Sequence, residues 1–260
     1  MDFQTITYNK SDRLARVTFN RPEIHNAFNS VVITEMQQVF DDIAADDTLR
    51  AVVLTGAGKS FCAGADLNWM RGVIKQSFDE NLRESNALAD LFWSIYSCKR
   101  PVIGKINGAA IGGGTGFVAV CDIAIAARSA VFSFSEVKIG VVPACIGPYV
   151  IKKMGEGKTR ELFITGERMK AERAHEVGLI NRVVDDDQLD EAADRLIHAI
   201  LTSGPEAVAM AKKLISEAPG MSPEQFKPYT AEMIARLRIS DEGQEGMDAF
   251  LNKRKPRWAE

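Results

Sequence analysis

The stretch GAAIGGGTGFVA, residues 108–119, sits where a strand gives way to a helix and carries no acid, base or nucleophile. Three readings compete for it. Glycines let a helix and a strand pack closely, they line a phosphate-cradling loop, or they leave backbone N–H groups bare and aimed at a ligand. The phosphate readings fail on spacing. The only Gly-Lys-Ser, within TGAGKS (55–60), has Val53 where a P-loop needs its first glycine. In the 112–116 run, the position three after Gly114 is Phe117, so G-x-G-x-x-G is not met either.

Working outward, VIGKIN (102–107) reads as a strand before the glycines, with a short helix after them and DIAIAA (122–127) and VFSF (131–134) as further strands. Upstream, FQTITYN (3–9) and RLARVTF (13–19) alternate around a polar turn at Lys10-Ser11-Asp12, which predicts a hairpin. Asn29 or Ser30 caps a helix through VVITEMQQVFDDIAA, AVVLTG (51–56) is a buried strand, and Ala87 to Tyr96 is helical. From Thr159 the pattern turns mostly helical: TRELFIT, AERAHEV closed by Gly178, DQLDEAADRLIHAILT, and a helix opened by Pro205, with INRVV (180–184) as an interposed strand. No linker-like segment separates the two halves.

Composition narrows the chemistry. With 260 residues, 46% hydrophobic and 26% charged, the chain can bury a sizeable core. A net charge of −3 with no basic stripe argues against a nucleic-acid partner. The basic cluster Lys253, Arg254, Lys255 and Arg257 reads first as a solvated tail. Cys62, Cys98, Cys121 and Cys145 form no C-x-x-C pair and three histidines show no ligand spacing, so neither a metal nor a disulfide framework is expected. No apolar run reaches membrane length and the N-terminus lacks a signal region, which places the expectation in the cytoplasm, away from membranes. No G-x-S-x-G elbow supports a serine hydrolase, and Cys62 has no base nearby in sequence.

What survives is a pair of small-residue turns, SFCAGAD (60–66) and AIGGGTG (110–116), each following a strand. In a parallel α/β sheet such turns face a ligand at the carboxyl ends, and two N–H groups from separate turns can grip one oxyanion. Two tight turns with no ligand is the plainer alternative.

NRPEIHNAFN (20–29), SFCAGADLNWM (60–70), INGAAIGGGTGFVAVCDIAIA (106–126) and FSFSEVKIGVVP (132–143) together resemble the crotonase, or enoyl-CoA hydratase/isomerase, superfamily in order and spacing, over nearly the whole chain. The resemblance implies an α/β crotonase (ClpP-like) spiral of repeated ββα units over 1–195, holding the acyl-CoA site. A helical region over 196–260 would serve oligomerisation and close the adenine pocket. It implies that Ala65 and Gly113 donate their N–H groups to the thioester oxygen, and that Glu136 moves the proton. Adenine would lie against the backbone near Ala63, Ala65, Asp66 and Leu67, with the loop at Glu23, Ile24 and Asn26 close to the pantetheine. Gly112, Gly116 and Trp69 count among the substrate-binding positions, and Phe250 and Lys253 would reach the adenosine end. No cofactor is implied beyond coenzyme A as part of the substrate, and the expected assembly is a homotrimer or homohexamer.

One departure stands out. The hydratases' second glutamate maps to Gly116, and is absent. One carboxylate suits double-bond isomerisation, and a noncatalytic acyl-CoA binder is a further alternative to hydration. ADLNWM and VVPACIGPYV resemble the branch that hydrates methylglutaconyl-CoA and similar branched, carboxylated substrates of leucine or terpenoid breakdown. A substrate carboxylate there would need a cation, for which Arg71 and Arg83 are candidates, while Trp69 and Met70 line the acyl tunnel or the core.

Overall fold

The computed structural model describes residues 2–259. The chain opens with the hairpin β1 (Ile6–Ser11) and β2 (Leu14–Phe19), paired in register from Ile6↔Phe19 to Ser11↔Leu14. Its two-residue turn is Asp12-Arg13, both with positive φ, so the turn falls later than the polar residues Lys10-Ser11-Asp12 suggest. Left-handed backbone at both central positions matches the twist of the flanking strands, and this geometry decides the register. Asn29 caps α1 (Ser30–Ala45), accepting from the N–H groups of Val31 and Val32.

Three turns of a spiral follow. β3 (Ala51–Gly56) and β4 (Ser60–Cys62) lead to α2 (Leu67–Val73) and α3 (Phe78–Ser97). β5 (Val102–Ile106) and β6 (Ala109–Ile111) lead to α4 (Gly113–Val120). β7 (Ile123–Ala127) and β8 (Val131–Ser133) lead, through a 3₁₀ turn at Ser135–Ile139, to α5 (Gly147–Thr165), kinked at Gly155. Each turn is a ββα unit, the repeat implied by the sequence resemblance. α3 starts nine residues before the expected Ala87, because Ser77 and Glu80 form a reciprocal capping box. After β9 (Arg168–Lys170), α6 (Ala171–Glu176) and β10 (Arg182–Val184) come α7 (Leu189–Leu201), α8 (Pro205–Glu217), α9 (Pro223–Ile239) and α10 (Asp241–Leu251).

The first strand of each unit joins a six-stranded sheet, β1-β2-β3-β5-β7-β10, parallel except at β1–β2. The second strands form the smaller sheet β4-β6-β8-β9, in which only β8–β9 is antiparallel. Between the sheets lies an aromatic core: Phe117 of α4 meets Phe19 at 5.0 Å, Phe92 at 4.9 Å and Phe28 edge-on at 5.7 Å. Residues Gly114 to Val120 are all buried, which is why α4 is apolar on every side. On the other face of the large sheet, Leu14, Val53, Ile103 and Ile125 pack against Leu189, Leu196 and Ile197. Position 195 therefore lies within a helix that covers the sheet.

α8, α9 and α10 bury little. Ile215, Ile239, Phe250 and Leu251 all stand more than 70% exposed. Glu242 of α10 accepts from the N–H groups of Glu206 and Ala207, each at 2.8 Å, and the Trp258 carbonyl accepts from Arg13 at 3.2 Å. Arg13 precedes β2, and Glu242 lines a cavity with Leu49, Arg50 and Pro101, which precede β3 and β5, so the start of α10 and the C-terminal turn sit at the amino ends of the parallel strands.

Candidate active site

β4 and β6 are parallel neighbours, Ser60↔Ala109, so the turns that leave their carboxyl ends lie side by side. Glycine makes the approach possible. Gly64 has φ +93, and a Cβ there would lie 2.7 Å from the Ile111 carbonyl oxygen; one on Gly114 would overlap the Cys62 carbonyl.

Phe28 fixes both turns. Its N–H donates to the Gly64 carbonyl at 2.8 Å, and its carbonyl accepts from the Asp66 N–H at 2.8 Å. In such a parallel bridge the residue between the two attachment points turns its own N–H away from the partner. Ala65 is that residue, and its N–H has no acceptor among the described residues. The Phe28 ring also lies against Gly113, where a Cβ would come within 2.7 Å of it. Gly113 opens α4, and its N–H and that of Gly114 likewise find no acceptor there. The turn thus presents unpaired donors at the positive end of a helix dipole.

Glu136 closes the arrangement. Gly112 adopts φ 54, ψ −126, a conformation for glycine, and donates its N–H to the Ser133 carbonyl at 2.8 Å. The Glu136 carboxylate lies 3.4 Å from where a Gly112 Cβ would stand. Its Oε2 is buried without a hydrogen-bond partner among the described residues, and burial raises its carboxyl above the usual glutamate range. A buried, unpartnered carboxylate oxygen close to unpaired backbone donors leaves hydrogen-bonding capacity on both sides for a ligand to take up.

A cavity of about 600 Å³ opens between α2, α3 and the segment after Glu136, with Trp69, Met70, Arg71, Glu84, Ile139 and Val141 among its lining; it borders the site through Leu67, next to Asp66, and does not itself include Ala65, Gly113 or Glu136. Arg71 bonds only Asn68, at 2.7 Å, and has no acidic partner among the described residues; Arg83 is not in the lining. A second cavity of about 250 Å³, by Arg50, Arg100 and Glu242, lies at the opposite end and shares no residue with the turns.

The sequence model of the enoyl-CoA hydratase/isomerase family matches residues 9–260. The chain belongs to this family. A short-chain-enoyl-CoA hydratase of Clostridium acetobutylicum is 33% identical over 258 residues, covering 98% of this chain and 97% of that protein. An enoyl-CoA hydratase from Shewanella pealeana superposes with TM-score 0.95 at 40% identity, over 98% of this chain and 96% of that one. An enoyl-CoA hydratase/isomerase from Marinobacter aquaeolei superposes with TM-score 0.94 at 32% identity, over 98% and 99%.

In this family member the structure brings Ala65, Gly112, Gly113 and Glu136 together, with Ala63, Leu67 and Trp69 around them. The Ala63 N–H is spent on the His25 carbonyl. Leu67 is exposed, and Glu23 and Ile24 lie on an exposed 3₁₀ turn, Pro22–Ile24. Two further candidates have side chains engaged within the protein, which leaves their backbone and loop positions to meet a ligand. The Asn26 side chain accepts from Arg21 N and donates to the Ala57 and Ser60 carbonyls, so it is fully committed to holding three loops. The Asp66 carboxylate caps α2 and pairs with Arg21 at 2.9 Å. Although burial pushes it upward, bonds from Asn68, Arg21 and Trp69 hold its carboxyl below the usual range.

Gly116 does not line the site. It is buried, its N–H bonds Gly112, and a Cβ there would overlap Ile146 and lie 3.0 Å from Phe92. The place of a second acid is occupied by hydrocarbon. Phe250 and Lys253 are not delivered to these turns by their own chain, since α10 is fastened at the amino ends of the strands. Sequence reasoning missed Phe28, Arg21, Glu84 and Ile146. Phe28 stands inside a quoted motif, whereas nothing in sequence pairs Glu84 with Trp69 or Ile146 with Gly116. Among the described residues no group of three His, Cys, Asp or Glu is placed to hold a metal, and no helix is long and apolar enough to cross a membrane.

Proposed function

We propose that this protein hydrates an α,β-unsaturated acyl-CoA with Glu136 as its single acid–base group. The observation that carries the reading is the buried, unpartnered Oε2 of Glu136 near the N–H groups of Ala65 and Gly113, which have no acceptor among the described residues. Two such donors on a thioester oxygen withdraw charge from the double bond, which makes the β-carbon electrophilic and stabilises the enolate that forms. Water then adds: its oxygen bonds the β-carbon, Glu136 takes the proton released, and a proton returns from Glu136 to the α-carbon. The net change is addition of H and OH across C=C.

Arg71, lining the cavity without an acidic partner, favours an acyl group with its own carboxylate, such as a methylglutaconyl-like chain. Isomerisation is the second reading, favoured by the hydrocarbon around Gly116: moving a double bond needs one base that takes a proton and returns it two carbons away. The apolar faces of α8, α9 and α10 support a homotrimer or homohexamer, in which Phe250 and Lys253 would serve a neighbour's adenosine pocket. The substrate is acyl-CoA, no cofactor beyond its coenzyme A is invoked, and the cytoplasm is the proposed location.

Loss of the conjugated-thioester absorbance on crotonyl-CoA or 3-methylglutaconyl-CoA supports hydration. A gain on a β,γ-unsaturated substrate with no loss on either enoyl-CoA replaces it with isomerisation. Tight retention of acyl-CoA with neither change leaves a noncatalytic binder.

A further inference from the structure

α2 is a lightly held wall of the acyl cavity. It has seven residues, none of them buried, and Ile74 just beyond it is 83% exposed. An element with so little buried surface takes its position from specific side-chain contacts. Two of these meet on one residue of α3. Glu84 Oε2 accepts from Trp69 Nε1 at 2.9 Å, and Glu84 Oε1 accepts from Gln76 Nε2 at 3.0 Å. The Trp69 ring in turn lies 5.8 Å from the Phe28 ring, which backs Gly113. Trp69 and Glu84 both line the cavity.

The geometry points to Glu84 as a specificity-determining positioning residue, a clasp that holds α2 through Trp69, and the turn after α2 through Gln76, against α3 and so restricts the cavity to short or compact acyl groups. The chemistry of the clasp explains the restriction. The two bonds satisfy both oxygens of a polar group that stands in a largely apolar lining. A long alkyl chain pushing between α2 and α3 would have to break both bonds and set methylenes against an unpaired carboxylate. A short chain disturbs neither. Rejection by uncompensated polar groups discriminates more sharply than a missing methylene does.

This inference rests on the acyl-CoA reading of the site. Its test compares straight-chain substrates, crotonyl-CoA against 2-decenoyl-CoA, in Glu84→Ala, Trp69→Phe and Glu84→Gln. Glu84→Ala removes the clasp. Trp69→Phe keeps a ring on Phe28 but loses the donor. Glu84→Gln can still accept from Trp69 and can offer its amide N–H to Gln76 Oε1, which is buried without a partner among the described residues.

The expected result is a rise of about tenfold or more in the decenoyl-to-crotonyl ratio of kcat/KM in the first two variants, carried by KM, with Glu84→Gln close to wild type. An unchanged ratio in Trp69→Phe and Glu84→Ala, or in Trp69→Phe alone should Glu84→Ala fail to fold, overturns the clasp. If the wild type turns over neither substrate, calorimetric binding of butyryl-CoA and decanoyl-CoA reads the same ratio. A chain-length shift there upholds the clasp while the hydratase reading fails, and equal shifts for both ligands reject it.

Discussion

Burial raises the Glu136 carboxyl, and that single shift has two readouts. A carboxyl whose folded pKa lies above its unfolded value binds its proton more tightly when folded. Its contribution to stability is therefore full below the ordinary value of 4.5 and is lost as pH rises through the raised one. At neutral pH the buried charge opposes folding, so Glu136→Gln is expected to raise Tm slightly. The same variant is expected to lower kcat by about 10² to 10⁴, the usual size of an acid–base contribution. In the wild type, hydration rate should climb with pH through a midpoint displaced above 4.5, as the carboxylate becomes available to take water's proton. A rate profile with no acidic limb, or unchanged kcat in Glu136→Gln, would remove this group from the mechanism. Gly113→Ala probes the donor turn: its Cβ would press within 2.7 Å of the Phe28 ring. Displacement of the turn by that contact should reduce kcat/KM on enoyl-CoA by about tenfold or more, since one misplaced oxyanion donor is worth about 10² to 10³.

At the scale of elements, α4 and α2 behave in opposite ways. α4 is sealed in the core, so Gly116→Glu does not restore a second acid. It drives a carboxylate into Ile146 and Phe92, and a loss of more than about 4 kcal/mol in denaturant unfolding is expected. Pairing it with Ile146→Ala opens space beside position 116, and a rise in hydration over the Ile146→Ala single variant would show that a second carboxylate can act from there. α2 depends on its ends. Asp66 caps it and pairs with Arg21, whose guanidinium also holds the Ala27 carbonyl at 2.7 Å. Asp66→Ala removes a cap and strands a mostly buried guanidinium, at about 3 kcal/mol. Because the Asp66 carboxyl is lowered on folding, its contribution is full above 3.8 and fades as pH falls through the lowered value, so the variant and wild type should converge in acid.

For the whole molecule, the large exposed side chains of α8, α9 and α10 predict association. Light scattering is expected to give a trimeric or hexameric mass, and Phe250→Asp with Leu251→Asp to reduce it toward the 28.6 kDa chain. A monomeric wild type would instead leave those faces without a partner. How much of this was legible in the sequence differs by range. Glycine at 112–114 and the strand AVVLTG are local features, written in backbone preference and alternation, and the cap of α1 is narrowed locally to Asn29 or Ser30, between which the structure selects Asn29. The three-residue strands β4, β6 and β9 carry too little pattern to be seen, although β4 and β6 aim the two turns. Glu84 with Trp69, Ile146 with Gly116, and the fastening of α10 at the amino ends join residues that are distant in sequence or bear no spacing rule.

By itself the sequence determined the longer strands and the positions of the two small-residue turns, because these follow from local propensity and residue type, while the ββα repeat and Glu136 came from the resemblance of the whole set of motifs to one family. Only the tertiary structure decided that Asn26 and Asp66 are spoken for by their neighbours, that position 116 faces hydrocarbon, and that Phe28 ties Ala65 and Gly113 to one another. The physical reason is that hydrogen-bond saturation and steric room are properties of what surrounds a residue, and the spiral supplies those surroundings from far along the chain.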